Sequence, residues 1–367
     1  MKLVIFGLSV SSSWGNGHAT LWRGLCASLG RQGHDVVFFE RDVPWYSSAR
    51  DLTELPGGGE LVLYESWEAV QALARRHVDE ADAALVTSYC PDALQASEMV
   101  LHSVCPARVF YDMDSPVTLA RIAKGEQVEY VGPRGYRDFD LVLSYAGGRT
   151  LTELRRVLGA PRVAPLYGSV DPDIHKPTGA QADYGAGLSY MGTYSADRDA
   201  ALRALFIEPA ERMPERGFLM GGSSYNSDFP WLPNIYFVGH LTPAQHPDFY
   251  CSAGLTLNVT RGPMAEMGYC PSGRLFEASA CGVPVLSDVW EGIETFYSPG
   301  REILIGRSAD DAVAALLRSP EELARIGRNA RERTLALHTA DVRALELENV
   351  LGAWKSMAVE AGAVCGA

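Results

Sequence analysis

The sequence lacks any run close to the roughly 20 apolar residues that a membrane-spanning helix requires, which argues against a membrane-embedded enzyme. The apolar opening, residues 2–7, is soon followed by three serines at 11–13 without a clear cleavage site. A signal peptide would need a longer apolar region that ends in such a site. The opening therefore predicts a first β-strand.

The sequence also lacks a block of basic residues. Its 32 Lys and Arg are outnumbered by 45 Asp and Glu, which gives a formal net charge of -13. This charge opposes the electrostatic attraction on which non-specific binding to nucleic acids and anionic membranes depends. We therefore expect no nucleic-acid partner.

Paired cysteine motifs are missing as well. The seven cysteines are scattered without a CxxC pair, and an odd number leaves at least one thiol outside any intramolecular disulfide scheme. Such usage is typical of the reducing cytoplasm, which is the location that we predict.

What the sequence does contain is enough apolar material for two cores. Its 367 residues are 47% hydrophobic and 21% charged, and short apolar runs alternate with longer segments of helical period. In the first half the predicted strands are Leu3–Phe6, Val36–Phe39, Ala84–Thr87, Arg108–Tyr111, Leu141–Ser144 and Val163–Tyr167. In the second half they are Leu188–Met191, Phe218–Met220, Ile235–Val238, Leu255–Val259, Val283–Ser287 and Glu302–Ile305.

A stretch rich in proline, glycine and aspartate, residues 171–187, interrupts this alternation and is typical of a linker. The sequence thus predicts an α/β protein with two Rossmann-like domains, residues 1–172 and 173–340, that face each other across a cleft. From about Ala309 onward it predicts consecutive helices, of which the last, over 341–367, packs back on the first domain. Ligands of open α/β sheets bind at the carboxyl ends of the strands, so the cleft is the expected site.

The first predicted strand leads into a glycine-containing loop that ends at His18 and then into a helix. Glycines permit close backbone approach and a helix N-terminus favours an anion, but a strict GxGxxG is absent, which disfavours dinucleotide binding. Asn16, Gly17 and His18 are candidates for acceptor binding, and His18 is also a candidate catalytic residue. A helix-terminal histidine with a satisfied side chain would explain His18 equally well.

Two aspartates, Asp112 and Asp114, follow another first-domain strand in the segment YDMDSP. Carboxylates two residues apart could hold a divalent ion, or they could cap the helix that begins near Pro116. We predict capping by one carboxylate and a polar, ligand-facing role for the other; Asp112 is a candidate for acceptor binding and Asp114 for catalysis. No metal site is predicted, because the phosphate-binding candidates lie in the second domain.

The second domain contains two stretches suited to a nucleotide sugar, SYMGTYSADR at 189–198 and CPSGRLFEASACGVPVLS at 270–287. Gly192 would let the backbone approach a phosphate and Arg198 would supply positive charge, although an ordinary strand-to-helix turn can look the same. In the second stretch Ser272 is placed to cap a helix, with Arg274 in its first turn and Glu277 one turn further on. A pyrophosphate beside a ribose diol matches this set, because a carboxylate can accept hydrogen bonds from two hydroxyls. A solvated helix carboxylate is the alternative for Glu277.

Together with TLNVTR, EILI and LHTADVRA, these stretches resemble the spore-maturation CgeB-type branch of the GT-B glycosyltransferases. The resemblance extends over most of the second domain and its tail, where order, spacing and residue type agree across about 150 positions. In the first domain it rests on YDMDSP and on the succession toward YGSVDP. It implies the GT-B fold, in which the first domain binds the acceptor.

The resemblance also implies a role for each matching residue. The implied donor-binding set, in which Arg198 and Arg274 are also catalytic, is Gly192, Thr193, Tyr194, Arg198, Ser272, Gly273, Arg274 and Glu277. Within it Glu277 would bind the ribose. GT-B enzymes stabilise the departing phosphate with helix dipoles and basic side chains, so neither a metal nor another cofactor is expected. Retaining relatives carry two glutamates eight positions apart, and Tyr269 occupies the first of these positions here; retention of anomeric configuration is still favoured.

The sequence therefore predicts a glycosyltransferase that moves a sugar from a nucleotide diphosphate to an acceptor, which could be a small molecule, a glycan or a protein. Two alternatives stay open. One is a nucleotide-sugar epimerase on the same fold, and the other is a binding protein that keeps the nucleotide pocket without catalysis.

Overall fold

The computed structural model describes the backbone of residues 1–364 and the side chains of residues 1–353. It divides into two compact units, of which the first comprises residues 1–167 and 340–364, and the second comprises residues 168–339. Each unit is built on one parallel sheet flanked by helices. The predicted α/β class with two Rossmann-like sheets is confirmed.

The sheet of the first unit has seven parallel strands in the order β3-β2-β1-β4-β5-β6-β7. The strands are β1 (Lys2–Gly7), β2 (Asp35–Arg41), β3 (Glu60–Tyr64), β4 (Ala83–Thr87), β5 (Arg108–Asp112), β6 (Leu141–Ser144) and β7 (Val163–Pro165). The first six helices are α1 (Gly17–Arg31), α2 (Pro44–Ser47), α3 (Trp67–Asp79), α4 (Ala93–Leu101), α5 (Ser115–Ala123) and α6 (Arg149–Leu158).

Burial differs between the central and the edge strands of this sheet. The central strand β4 is buried at every residue, and β1 at all but its first. Parallel strands covered by helices on both faces are continuous apolar runs, and such runs are easy to identify. The edge strand β3 mixes exposed and buried positions, and the sequence analysis did not identify it.

The second unit has six parallel strands in the order β10-β9-β8-β11-β12-β13. The strands are β8 (Ala186–Met191), β9 (Phe218–Gly221), β10 (Ile235–Val238), β11 (Ala253–Asn258), β12 (Val285–Ser287) and β13 (Leu304–Ile305). The helices are α7 (Asp199–Leu202), α8 (Glu208–Arg212), α9 (His246–Cys251), α10 (Gly262–Met267), α11 (Gly273–Ala280), α12 (Ala309–Leu316) and α13 (Pro320–Leu337).

The last helix, α14 (Ala340–Val364), belongs to the first unit and packs against α1. Near its start, Asp341 accepts hydrogen bonds from the Ser28 hydroxyl and from Arg31 Nη2, the latter at 2.7 Å. No helix within the described residues combines the length and the apolar composition that crossing a membrane would demand.

In both sheets the strand order reverses beside the first strand, between β1 and β4 and between β8 and β11. The connections on either side of such a point leave in opposite directions, which opens a crevice at the carboxyl ends of the strands. Candidate ligand-binding side chains are therefore those in the loops after β1, β4 and β5 in the first unit, and after β8, β9 and β11 in the second.

Candidate functional site

A buried carboxylate fixes the loop that follows β1. Glu40, near the end of β2, is fully buried and accepts hydrogen bonds from the Val10 and Ser11 amides at 2.7 and 2.9 Å. It also accepts from the hydroxyls of Ser9 and Ser11, at 2.8 and 2.6 Å. Because these donors are engaged by the protein, they cannot hold a phosphate. The sequence analysis missed Glu40, although an acidic residue near the second strand of a Rossmann-like domain was an available signal.

Asn16 and Gly17 begin α1 and have different surroundings. The Asn16 side chain is buried; its Oδ1 accepts from the His18 amide at 3.1 Å and its Nδ2 donates to the Ser9 carbonyl at 3.0 Å. Asn16 therefore caps the helix and orders the loop. Gly17 is exposed, and a Cβ placed there would meet open space. Of these two candidates, only Gly17 offers a surface to a ligand.

His18 and Asp114 lie together although 96 positions separate them. His18 Nε2 is 2.9 Å from Asp114 Oδ2, and the two side chains are 19% and 10% exposed. The buried Nδ1 of His18 has no hydrogen-bond partner among the described residues. The Tyr89 ring lies 6.1 Å away, on a residue with a positive φ of 63°. The structure thus brings two predicted catalytic residues into one partly exposed pair.

Asp112 is placed differently from Asp114. It is fully buried, with Oδ1 accepting from the Asp114 amide and the Thr118 hydroxyl, both at 3.1 Å, and Oδ2 accepting from the Tyr136 hydroxyl at 3.0 Å. Burial raises the pKa of Asp112 to about 7. Asp114 occupies the N-cap position of α5 without a capping bond from its side chain. Asp112 therefore supports the start of α5, and this geometry does not support its predicted contact with an acceptor.

In the second unit Arg274 reaches from the first turn of α11 to the carboxyl ends of β8 and β11. Its Nε donates to the Met191 carbonyl and its Nη1 to Asn258 Oδ1 at 2.9 Å, while its guanidinium carbon lies 4.9 Å from the centre of the Tyr190 ring. A Cβ on Gly192 would lie 2.8 Å from Nη2, so a side chain at position 192 would displace the guanidinium. These contacts fix Arg274 and leave Nη2 without a hydrogen bond among the described residues.

Arg198 lies in the loop after β8, beyond Thr193 and Tyr194. Its Nη1 donates to the Thr193 carbonyl at 2.8 Å, and its buried Nε has no hydrogen-bond partner within residues 1–353. The positive charges of Arg198 and Arg274 both oppose the rise that burial causes in the pKa of Tyr225, so both guanidinium groups lie within electrostatic range of its hydroxyl. Neither forms an ion pair with a carboxylate anywhere in the described part of the chain, an arrangement suited to binding an anion.

The remaining donor-site candidates support this loop and the start of α11. Thr193 Oγ1 accepts from the Ser223 hydroxyl at 3.2 Å, and the Tyr194 ring packs edge-on against Tyr225. The Ser272 hydroxyl accepts from the Arg274 amide at 3.2 Å, so the predicted helix cap is confirmed, and Gly273 is the first residue of α11. The helix N-terminus adds partial positive charge beside Arg274.

Three non-glycine residues among those described have a positive φ: Tyr89 after β4, Ser224 after β9 and Tyr269 between α10 and α11. Such backbone is sparsely populated and tends to occur at functional sites. Gly222, with φ of 139°, lies so close to Gly192 that a Cβ would approach the Gly192 carbonyl oxygen to 2.1 Å. The loops after β8 and β9 are thus held against each other.

Glu277 is almost wholly buried on α11. Its Oε2 accepts from the Tyr250 hydroxyl at 3.1 Å and lies 3.5 Å from His246 Nδ1. Burial raises the pKa of Glu277, but the hydrogen bond with His246 and the electrostatic interactions with His175, His246 and Arg274 outweigh it and hold the pKa at about 2. Glu277 is therefore a carboxylate at neutral pH.

One group within the described residues has a composition that could hold a metal ion: His175, His246 and Glu277, whose ligand atoms lie within 4.8 Å of one another. His175 Nε2 is 3.3 Å from His246 Nδ1, and His246 Nε2 is 3.3 Å from the Leu241 carbonyl. Burial lowers the pKa of His175 to about 4, so it is neutral. The same distances suit a hydrogen-bonded network, in which Tyr250 donates to Glu277 Oε2.

Comparison with protein families places a known domain over much of the second unit. Residues 200–349 match the family described as glycosyl transferase-like. No curated protein matches the chain. The narrower resemblance to the CgeB-type branch stays a prediction.

Solved structures with the same fold cover nearly the whole chain. The sucrose-phosphate synthase of Thermosynechococcus elongatus is 15% identical, with a TM-score of 0.69 over 95% of this chain and 98% of its own. Anabaena Alr3699/HepE in complex with UDP-glucose is 14% identical, with a TM-score of 0.69 over 96% and 100%. An alpha-glucosyltransferase in complex with UDP and a 13-mer DNA is 12% identical, with a TM-score of 0.68 over 96% and 99%.

The chain therefore has the GT-B fold of these glycosyltransferase structures, and residues 200–349 are similar to the glycosyl transferase-like family.

Proposed function

We propose that the protein transfers a glycosyl group from a nucleoside diphosphate sugar to an acceptor, without a bound metal and with retention of anomeric configuration. The observation that carries the proposal is the pair Arg198 and Arg274, two guanidinium groups near the carboxyl end of β8 that form no ion pair among the described residues. Such groups can bind the negatively charged oxygens of a diphosphate. UDP or UDP-glucose is bound in two of the similar structures.

In this mechanism Arg274 and Arg198 stabilise the departing diphosphate. Cleavage of the bond between sugar and phosphate leaves additional negative charge on the phosphate oxygens, and cationic groups already in place lower the energy of that state. The N-terminus of α11 contributes partial positive charge at the same position. Gly192 keeps the backbone clear, so that the guanidinium can lie against it.

The first unit would hold the acceptor. His18 and Asp114 form the partly exposed pair, and Gly17 leaves open space beside it. The acceptor is a small molecule, a glycan or a protein that presents a nucleophilic oxygen or nitrogen. The six cysteines of the described residues form no disulfide with one another, which supports the proposed cytoplasmic location.

Ligand binding and turnover together test the proposal. A nucleoside diphosphate present at about 100 times its dissociation constant should stabilise the folded protein by roughly 2.7 kcal/mol, which a thermal-shift screen detects. Incubation of the matching nucleotide sugar with candidate acceptors should then release the diphosphate and give a product with the anomeric configuration of the donor. An altered sugar without acceptor would indicate an epimerase, and binding without turnover would indicate a binding protein.

Metal independence is a separate prediction. Cationic side chains and a helix N-terminus occupy the diphosphate site, and Asp112 is buried and engaged by protein donors. We expect full activity after treatment with EDTA and removal of the chelator, with EDTA pre-saturated by magnesium as the control. Loss of activity that a divalent ion restores would contradict the prediction.

Glu277→Gln should mainly weaken donor binding. Ribose hydroxyls carry the same charge before and after bond cleavage, so the contact stabilises substrate and transition state alike. We expect the Michaelis constant for the donor to rise about tenfold while the turnover number changes by less than about threefold. Steady-state kinetics give the Michaelis constant and the turnover number of this variant. Glu294→Gln, which alters an exposed glutamate, is the control. If Glu277→Gln instead abolishes turnover and leaves the affinity for the donor unchanged, Glu277 acts at the reacting sugar.

A further inference from the structure

We propose that Tyr250 and His246 are positioning residues that hold one oxygen of Glu277 and leave the other, Oε1, as the sole acceptor for the ribose. The inference rests on the proposed function, because it concerns how the nucleotide site recognises its ligand. It starts from a difference between the two carboxylate oxygens of one side chain.

The Oε2 atom is held from two sides. The Tyr250 hydroxyl donates to it at 3.1 Å, and His246 Nδ1 lies 3.5 Å from it. Both residues belong to α9, which packs against α11. Tyr250 is buried, and burial together with the negative charge of Glu277 raises its pKa well above the usual range. The Tyr250 hydroxyl therefore stays protonated and donates a hydrogen bond to the carboxylate.

The Oε1 atom makes none of the hydrogen bonds found among the described residues. A glutamate has three rotatable side-chain bonds, and a carboxylate free to turn would lose that freedom when a ligand binds. Anchoring Oε2 fixes the direction of Oε1 before the nucleotide arrives, which is the physical content of preorganisation. Tyr250 and His246 thus act on the ligand through Glu277 and need not touch it.

This arrangement refines the expectation drawn from the sequence. A free carboxylate could accept one hydroxyl on each oxygen, as a bidentate acceptor for the ribose diol. Here Tyr250 and His246 surround Oε2, so the hydroxyls must share Oε1 or one of them must bind elsewhere. The site therefore distinguishes ribonucleotides from analogues without ribose hydroxyls through one preoriented oxygen.

Tyr250→Phe tests the inference, because it removes only the hydroxyl. Isothermal titration calorimetry is carried out with UDP and with 2′,3′-dideoxy-UDP on the full-length protein. We expect the variant to bind UDP about tenfold more weakly, the size of effect typical of a hydrogen bond to a charged group. Its affinity for the dideoxy analogue should equal that of the wild type, because that ligand makes no use of Oε1.

Two further variants separate positioning from general damage. Tyr236→Phe alters an exposed tyrosine of the same unit and should leave both affinities unchanged. His246→Gln keeps a donor near Oε2 and should retain more of the preference for UDP than His246→Ala. If Tyr250→Phe lowers the affinities for UDP and for the dideoxy analogue equally, or leaves the preference for UDP unchanged, the positioning role of Tyr250 is wrong. The ribose-binding role of Glu277 would not be affected by that result. A wild type that binds UDP and the dideoxy analogue equally would overturn the ribose-binding role of Glu277 as well.

Discussion

The Arg274→Ala variant is expected to lose about 10²- to 10³-fold in turnover number, the loss typical of removing one donor that stabilises transition-state charge. The effect on the Michaelis constant for the donor should be much smaller. The diphosphate gains negative charge as the bond to the sugar breaks, so a cation beside it binds the transition state more tightly than the substrate.

The structure explains why this residue should matter so much. The Arg274 guanidinium is fixed by the Met191 carbonyl, by Asn258 and by the Tyr190 ring, with Nη2 left over for a ligand. A group already held in place does not have to reorganise when charge develops. Arg274→Lys keeps the charge but loses the planar fork, so we expect an intermediate turnover number.

A matched control is available on α13. Arg331 Nε also donates to a backbone carbonyl, that of Ala280 at 3.0 Å, but at the opposite end of α11. Arg331→Ala should leave the turnover number close to that of the wild type. Steady-state kinetics and thermal melting of all three variants decide the matter. A similar loss in Arg274→Ala and Arg331→Ala would show that the effect is general destabilisation.

His18→Ala should lower kcat/KM for the acceptor about 100-fold and leave the affinity for the nucleoside diphosphate unchanged. Asp114 fixes the His18 ring at 2.9 Å, so the imidazole can orient a bound acceptor. A misplaced reactant loses the advantage of correct geometry even when it still binds. The nucleotide should be unaffected, because its candidate residues belong to the second unit.

The control for this prediction is another histidine beside a carboxylate in the same unit. His102 Nδ1 lies 3.5 Å from Glu98, but both side chains are more than 70% exposed, so His102→Ala should change neither quantity. Asp114→Asn should reproduce part of the His18→Ala effect, and the double variant should lose less than the two single losses combined, as expected for a coupled pair. If the losses in kcat/KM of the two single variants add up strictly in the double variant, His18 and Asp114 do not act as a coupled pair.

Much of the fold could be predicted because the signals are local. Twelve predicted strands coincide with strands of the structure to within a few residues, whereas the edge strand β3 was not predicted, although Leu61, Val62, Leu63 and Tyr64 form an apolar run. The predicted linker, residues 171–187, contains only a short 3-10 turn at Ala182–Tyr184 before β8 begins. Ser272 was recognisable as a helix cap because capping depends on neighbouring residues.

The roles of the two aspartates show where sequence reasoning stopped. Asp112 and Asp114 stand two positions apart at the end of the same strand, and nothing local indicates which one is bonded to the protein interior. The strand direction and the packing of α5 turn Asp112 toward Thr118 and Tyr136, while Asp114 meets His18 at the start of α1.

The sequence by itself determined the α/β class, most strands and the placement of the candidate motifs at strand ends and helix starts. These features follow from periodicity and capping, which act over a few residues. Only the tertiary structure decided the partners: Met191 for Arg274, 83 positions away, and Tyr250 for Glu277, 27 positions away. Such contacts depend on how α9 and α11 pack against the sheet, and no local pattern encodes the distance between side chains on separate elements.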